Sequence, residues 1–150
     1  MTVALRDVLD DDLALFFEHQ LDPEATAMAV FPARDRKAFM AHWARIRRDD
    51  TVILRSVLHD GQVVGNVVSW ESERERYVGY WIGREHWGRG IASAALAAFL
   101  DEVTTRPLHA RAAKHSVASI RVLENCGFAI SGVVVTDGDV EELLLVLRGD

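Results

Sequence analysis

Trp87-Gly88-Arg89-Gly90-Ile91-Ala92 is the stretch of this sequence best suited to hold a charged ligand. It follows an aromatic and β-branched run, from Tyr77 to Ile82, that reads as a strand. It leads into an alanine-rich segment with Leu96, Phe99, Leu100 and Val103 at helical spacing. Gly88 and Gly90 lack a Cβ, so backbone N–H groups there can come close to a ligand. The first helical turn adds N–H groups without intrahelical partners, at the positive end of the helix dipole. Strand, glycine turn and helix together make a site for phosphate. Glycine at such a turn also serves sterics alone, so both readings stand at this point.

Other chemistries fit the sequence less well. A Walker loop needs Gly-Lys followed by Ser or Thr, and that tripeptide does not occur. The dinucleotide fingerprint needs a third Gly or Ala where Ser93 stands, and no glycine follows until Gly127. His19, His86, His109 and His115 form no pair at helical ligand spacing, so no metal site is expected. Cys126, the single cysteine, excludes an internal disulfide and reads as a small, inert, apolar residue. Glu71, Glu73 and Glu75 are carboxylates in or beside the turn feeding the fourth strand, either bases or members of a solvated turn. Phe16-Phe17 with Glu18-His19-Gln20 could line a cleft; Phe there reads as core and His19 and Gln20 as wall.

The elements that position these residues follow from periodicity and punctuation. At 150 residues, 49% hydrophobic and 27% charged, the chain suits one domain, 1–150, with a sizeable core. A net charge of −6 argues against a nucleic-acid partner but leaves room for a local basic pocket. No signal-peptide core and no membrane-length apolar run occurs, so a cytoplasmic protein without a membrane partner is expected. Val3 to Val8 reads as a strand, and Asp10-Asp11-Asp12 as the cap and acidic first turn of a helix through Phe17. Pro23 starts a short helix through Met28-Ala29, which Phe31-Pro32 ends. Arg34 to Arg48 is amphipathic, with Phe39, Met40, Trp43 and Ile46 on one face. Thr51–Leu58 and Val63–Trp70 are strands around the Asp60-Gly61 turn, and Glu71 to Arg76 reverses the chain again. After the glycine helix come a strand at Leu108–Ala113 and a helix that Ser116 can cap and Gly127 closes. Phe128–Val135 and Val140–Leu147 are final strands around Asp137-Gly138. The order is βααα-βββ-αβα-ββ, a mixed α/β (α+β) arrangement.

That order, with a glycine turn after the fourth strand and Gly127-Phe128 after the last helix, resembles the GNAT acetyltransferase superfamily. The superfamily's Arg/Gln-x-x-Gly-x-Gly/Ala pattern falls on Trp87 to Ala92, with Trp87 in place of Arg or Gln. Trp-Gly-x-Gly is similar to the ribosomal-protein alanine acetyltransferase (RimJ/RimL-type) branch. His115 to Phe128 resembles that branch's Asn-x-x-Ser-x-Arg-Val-Leu-Glu-Lys-x-Gly-Phe, and Leu5-Arg6 and Leu21-Asp22-Pro23-Glu24 also look like it.

The resemblance implies a central, mostly antiparallel, twisted sheet of six to seven strands, splayed between strands 4 and 5 and flanked by helices. It implies an acetyl-CoA-dependent N-acetyltransferase, needing no metal, whose acceptor is a small-molecule or peptide amine. A non-catalytic acyl-CoA-binding module is the alternative. The amides of Gly88, Arg89, Gly90, Ile91, Ala92 and Ser93 would receive the pyrophosphate. Tyr80, Trp81 and Ile82 would offer a strand edge to the pantetheine arm, with a local splay or bulge at Gly79 or Gly83, and Ile82 N–H would serve the thioester oxygen. The tyrosine acid of many relatives falls on Leu123, which cannot act; Ser119 is the branch's acid, and its other reading is a locally bonded helical Ser. Ser116 stands at the Asn that touches the arm, or simply caps its helix, and Asn125 replaces the usual Lys. His19, Gln20 and Glu71 are the substrate-side candidates. A monomer or homodimer is expected.

Overall fold

The structure, a computed structural model, describes residues 2–25, 34–136 and 140–149. Its elements are β1 (Val3–Arg6), α1 (Asp12–Gln20), α2 (Arg36–Arg48), β2 (Ile53–His59), β3 (Gln62–Ser72) and β4 (Glu75–Ile82). A 3-10 turn (Arg84–His86), α3 (Ile91–Glu102), β5 (Leu108–Ala113), α4 (Val117–Asn125), β6 (Ala129–Thr136) and β7 (Val140–Leu147) complete them. Residues 23–25 are helical where the second helix is expected. The rest of that helix, to Phe31-Pro32, and the Asp137-Gly138 turn lie outside the described residues.

One seven-stranded sheet has the order β1-β2-β3-β4-β5-β7-β6. Its pairs are antiparallel except β4 with β5, which run parallel. Strand alternation sends Val57, Val67, Val78, Ile82, Leu108, Ala110 and Leu145 to one face, where Ile91, Leu96 and Phe99 of α3 and Leu123 of α4 bury them. The opposite face receives α1 and α2 through Phe16, Phe17, Phe39 and Trp43, packed with Leu54, Val63 and Val68. Phe17 meets Phe39 edge-on at 5.4 Å, and Phe16 meets Trp43 at 5.1 Å. Trp43 is therefore core, as its spacing predicts. Among the described residues no helix is long and apolar enough to cross a membrane.

One local expectation is corrected and one is narrowed. Asp11 occupies the α1 cap position with helical backbone angles and makes no side-chain cap. Asp12 instead turns inward: its carboxylate accepts from Arg6, from Leu9 N–H and from Ser56 Oγ, tying α1 to β1 and β2. Of the splay or bulge expected near Gly79 or Gly83, the sheet takes the splay: β3–β4 pairing runs without a register shift from Gly65↔Ile82 to Ser72↔Glu75, while β4 and β5 stop pairing after Tyr77↔His109. Gly79 makes room for the Trp70 ring, and a Cβ on Gly83 would lie 2.8 Å from His19 Nε2.

Candidate active site

The sheet opens because β4 and β5 part company. They pair at only two positions, Arg76↔Leu108 and Tyr77↔His109, although β4 continues to Ile82 and β5 to Ala113. Beyond that point neighbouring strand edges face each other across a gap. Gly83 N–H donates to Val64 O, so it points at β3. By alternation the amides of Tyr80 and Ile82 point the other way, into the gap, while Trp81 directs its polar groups to β3. Two observations agree. Ile82 O faces away from β3, since it accepts from Trp87 Nε1 at 2.8 Å, and a Cβ on Gly65 of β3 would overlap Trp81 O.

A slot of about 140 Å³ lies at this gap, lined by residues from both faces of the sheet. Tyr80, Ser116, Ser119 and Leu123 line it on the α3/α4 face, and Gly79, Arg111 and Glu142 line it on the other. A larger cavity of about 330 Å³ adjoins it along β4, the glycine turn and α4. Of the sequence-predicted cofactor residues, Tyr80, Trp81, Ile82, Gly88, Gly90, Ile91, Ala92, Ser93 and Ser116 line this cavity, together with Ser119. Arg89 is exposed beside it and is not in its wall.

The glycine turn has the geometry that its composition allows. Gly88 and Gly90 have φ of +78° and +77°, which L side chains rarely adopt, and a Cβ on either would meet nothing within 4 Å. The space beside them is thus open. Gly90 caps α3 without any side chain, and the first helical bond there runs from Ala94 N–H to Gly90 O. Among the described residues, no backbone carbonyl takes the amides of residues 88–93. A row of donors at a helix N-terminus faces an open cavity, which suits a diphosphate.

Hydroxyls gather where the two cavities meet. Ser116 is buried at the α4 cap position, but its side chain makes no cap bond, so capping does not account for it. The Tyr80 hydroxyl is buried and has no hydrogen-bond partner. Burial pushes its phenol above the ordinary value, against a smaller downward pull from Ser119. Tyr80 and Ser119 both line the slot and the larger cavity. Cys126 is half-buried, its Sγ 3.7 Å from Ser93 O, and burial raises its thiol, which keeps it protonated and inert.

The three substrate-side candidates sit outside both cavity walls. His19 is buried against Gly83, and burial lowers its imidazole, so it is neutral at pH 7. Gln20 is buried and locks α1 to the start of α2: its Nε2 donates to Arg34 O and its Oε1 accepts from Arg34 N–H at 3.0 Å. Glu71 is exposed in the β3–β4 hairpin and pairs with Arg76 at 3.1 Å.

The Acetyltransferase (GNAT) domain profile matches residues 2–129. The chain belongs to the GNAT acetyltransferase family. Among curated proteins no relative matches. The spermidine N-acetyltransferase from Vibrio cholerae, solved with CoA and spermine, superposes with a TM-score of 0.84 at 16% identity, over 97% of this chain and 95% of that one. RimJ from Mycobacterium smegmatis, solved with CoA-disulfide, gives 0.80 at 24% identity, over 97% and 81%. The aminoglycoside acetyltransferase AAC(6')-Ib, solved with coenzyme A, gives 0.81 at 16%, over 98% and 95%. At these identities the likeness is one of fold.

Sequence reasoning missed the Tyr80 side chain, Arg111 and Glu142. Tyr80 carries a signal only in hindsight, as a polar ring on the apolar face of β4. Arg111 and Glu142 come to line the same slot through the β5–β7 register, in which Ala113 pairs with Glu142 and Arg111 with Leu144, and periodicity does not show that.

Proposed function

We propose that this GNAT enzyme transfers the acetyl group of acetyl-CoA to a primary amine by direct attack, with both substrates meeting in the slot at the β4–β5 gap. Acetyl-CoA supplies an activated thioester: a carbon–nitrogen bond forms as the carbon–sulfur bond breaks, the nitrogen loses a proton and the sulfur gains one. The observation that carries the reading is the parting of β4 from β5 beside a row of untaken amides. Amides of residues 88–93 receive the diphosphate, and the freed edge of β4 receives the extended arm as an added strand would. Ile82 N–H faces the gap and serves the oxygen on which charge develops, a donor whose loss typically costs about 3 kcal/mol of barrier. Ser119 and Tyr80 hold the proton that the departing thiolate needs. The Tyr80 phenol stays protonated at neutral pH and has no competing acceptor.

No strong protein base is required if the acceptor is an α-amine, whose pKa near about 8 leaves part of it neutral at pH 7. Orientation then supplies most of the rate. Gly90→Trp tests the site. Its side chain would fill the open space beside the turn, and its φ of +77° would also be strained, so the fold is checked in parallel by circular dichroism. Calorimetry should show acetyl-CoA binding to the wild type and none to the variant. A folded wild type that does not bind acetyl-CoA would sink the proposal. Binding without thiol release from any amine would make the chain a binding module instead.

A further inference from the structure

The slot is also lined from the face away from α3 and α4, and two uncommitted charges stand there. Arg111 and Glu142 both line it. The β5–β7 register sets them on one face as diagonal neighbours, roughly 7–8 Å apart in such a ladder. They do not pair with each other, and among the described residues neither has an ion-pair partner. The charged groups around them are taken. Glu141 binds Lys114 at 2.9 Å, and Glu75 accepts from the Tyr77 hydroxyl at 3.4 Å and faces His109 at 3.8 Å. Arg111 lies over the Tyr77 ring at 5.9 Å, which leaves its fork of donors free. The Trp70 ring stacks on Tyr77 and covers Gly79, which lines the slot, so an apolar surface lies beside it.

We infer that the acceptor is a zwitterion, an α-amino acid with an apolar or aromatic side chain. This deepens the acetyl-transfer reading and rests on it. Half-buried Glu142 attracts the ammonium form to the slot, and exposed Arg111 takes the carboxylate in a two-pronged bond. Trp70 and Tyr77 carry the side chain. A polyamine or aminoglycoside offers no anion to Arg111 and meets its positive charge instead. A peptide N-terminus places its terminal carboxylate too far away to reach Arg111 while its amine is in the slot.

The test measures thiol release at saturating acetyl-CoA from phenylalanine, phenylalaninamide, phenethylamine, spermidine and a neutral tripeptide, with calorimetry of acetyl-CoA alongside. Wild type should prefer phenylalanine to phenethylamine in kcat/KM by at least about tenfold, the scale of one charge-assisted bond. Arg111→Gln should bring that ratio near one by raising KM for phenylalanine, and Glu142→Gln should weaken every amine alike. Both variants should bind acetyl-CoA as wild type does. The inference is overturned if spermidine or the tripeptide is the better substrate, or if Arg111→Gln leaves the ratio unchanged. It is also overturned if acetyl-CoA binds and no amine in the panel releases thiol. Failure of acetyl-CoA to bind would instead strike the reading beneath it.

Discussion

The Tyr80 hydroxyl shows how a single atom can set stability against activity. A buried polar group without a partner costs folding free energy, on the order of 1–3 kcal/mol. Tyr80→Phe removes that cost and should leave the protein as stable as wild type or more so. If the hydroxyl feeds the leaving thiolate, the same change should slow turnover by roughly 100-fold, the lower range for a positioned acid, while KM for acetyl-CoA holds. Ser119→Ala should slow turnover without the gain in stability. Thermal melting paired with a thiol-release assay separates the roles: a destabilised Tyr80→Phe enzyme with normal turnover would make the hydroxyl structural.

Asp12 is the opposite case, a buried charge fully met. Burial alone would raise its pKa, but bonds from Arg6, Leu9 N–H and Ser56, with the charge of Arg6, lower it from 3.8 to about 2. A depressed carboxylate stabilises the fold above its unfolded pKa, and that contribution is lost as pH falls from about 4 to about 2. The shift corresponds to about 2 kcal/mol. Urea unfolding of Asp12→Asn should therefore show lower stability at pH 7, with the gap to wild type closing towards pH 2.

Elements show what could be seen in the sequence and what could not. The Asp60-Gly61 turn and the C-terminal Gly127 were legible because each needs a backbone angle that those residues supply cheaply; both glycines have positive φ, and Asp60 does too. Glu73 and Arg74 also take positive φ, at 52° and 71°, in a hairpin whose residues carry no such signal. The tight turn was thus legible only as a reversal, and β3 and β4 each run further towards it than their apolar pattern suggests. The open turn at Gly88 and Gly90 was legible from chain chemistry as a candidate phosphate site, beside a purely steric reading. The gap at β4–β5 was not, since strand separation depends on neighbours distant in sequence, and only the family resemblance supplied it. Gly65 is a further position where the sequence was silent. A Cβ there would overlap Trp81 O and lie 2.9 Å from Ile82 Cα, so β3 approaches the working edge of β4 too closely for a side chain. Gly65→Ala should displace Ile82, lowering stability by about 1–3 kcal/mol as overpacking does, and raising KM for acetyl-CoA. Normal acetyl-CoA kinetics in a destabilised variant would show that this approach serves the fold alone.

At the scale of the whole molecule the sheet divides the labour between its faces. The core under α3 and α4 includes Ile91, Leu96, Phe99 and Leu123, and the same two helices wall the larger cavity through Ile91, Ala92, Ser93 and Ser119. Damage to that core should reach cofactor binding directly. The aromatic cluster of Phe16, Phe17, Phe39 and Trp43 lies across the sheet and touches neither cavity. Trp43→Ala removes a ring that contacts both Phe16 and Phe39, and large-to-small changes of this kind cost about 3–5 kcal/mol. Against a typical total of about 5–15 kcal/mol the variant should still fold at low temperature. If the faces are energetically separate, its folded fraction should bind acetyl-CoA within about threefold of wild type, since sites far apart with no shared partners are nearly additive. Urea unfolding gives the first quantity and calorimetry at 10 °C or so the second. A loss of affinity in proportion to the lost stability would mean that the aromatic cluster holds β3 and β4 in register, and that the slot depends on both layers at once.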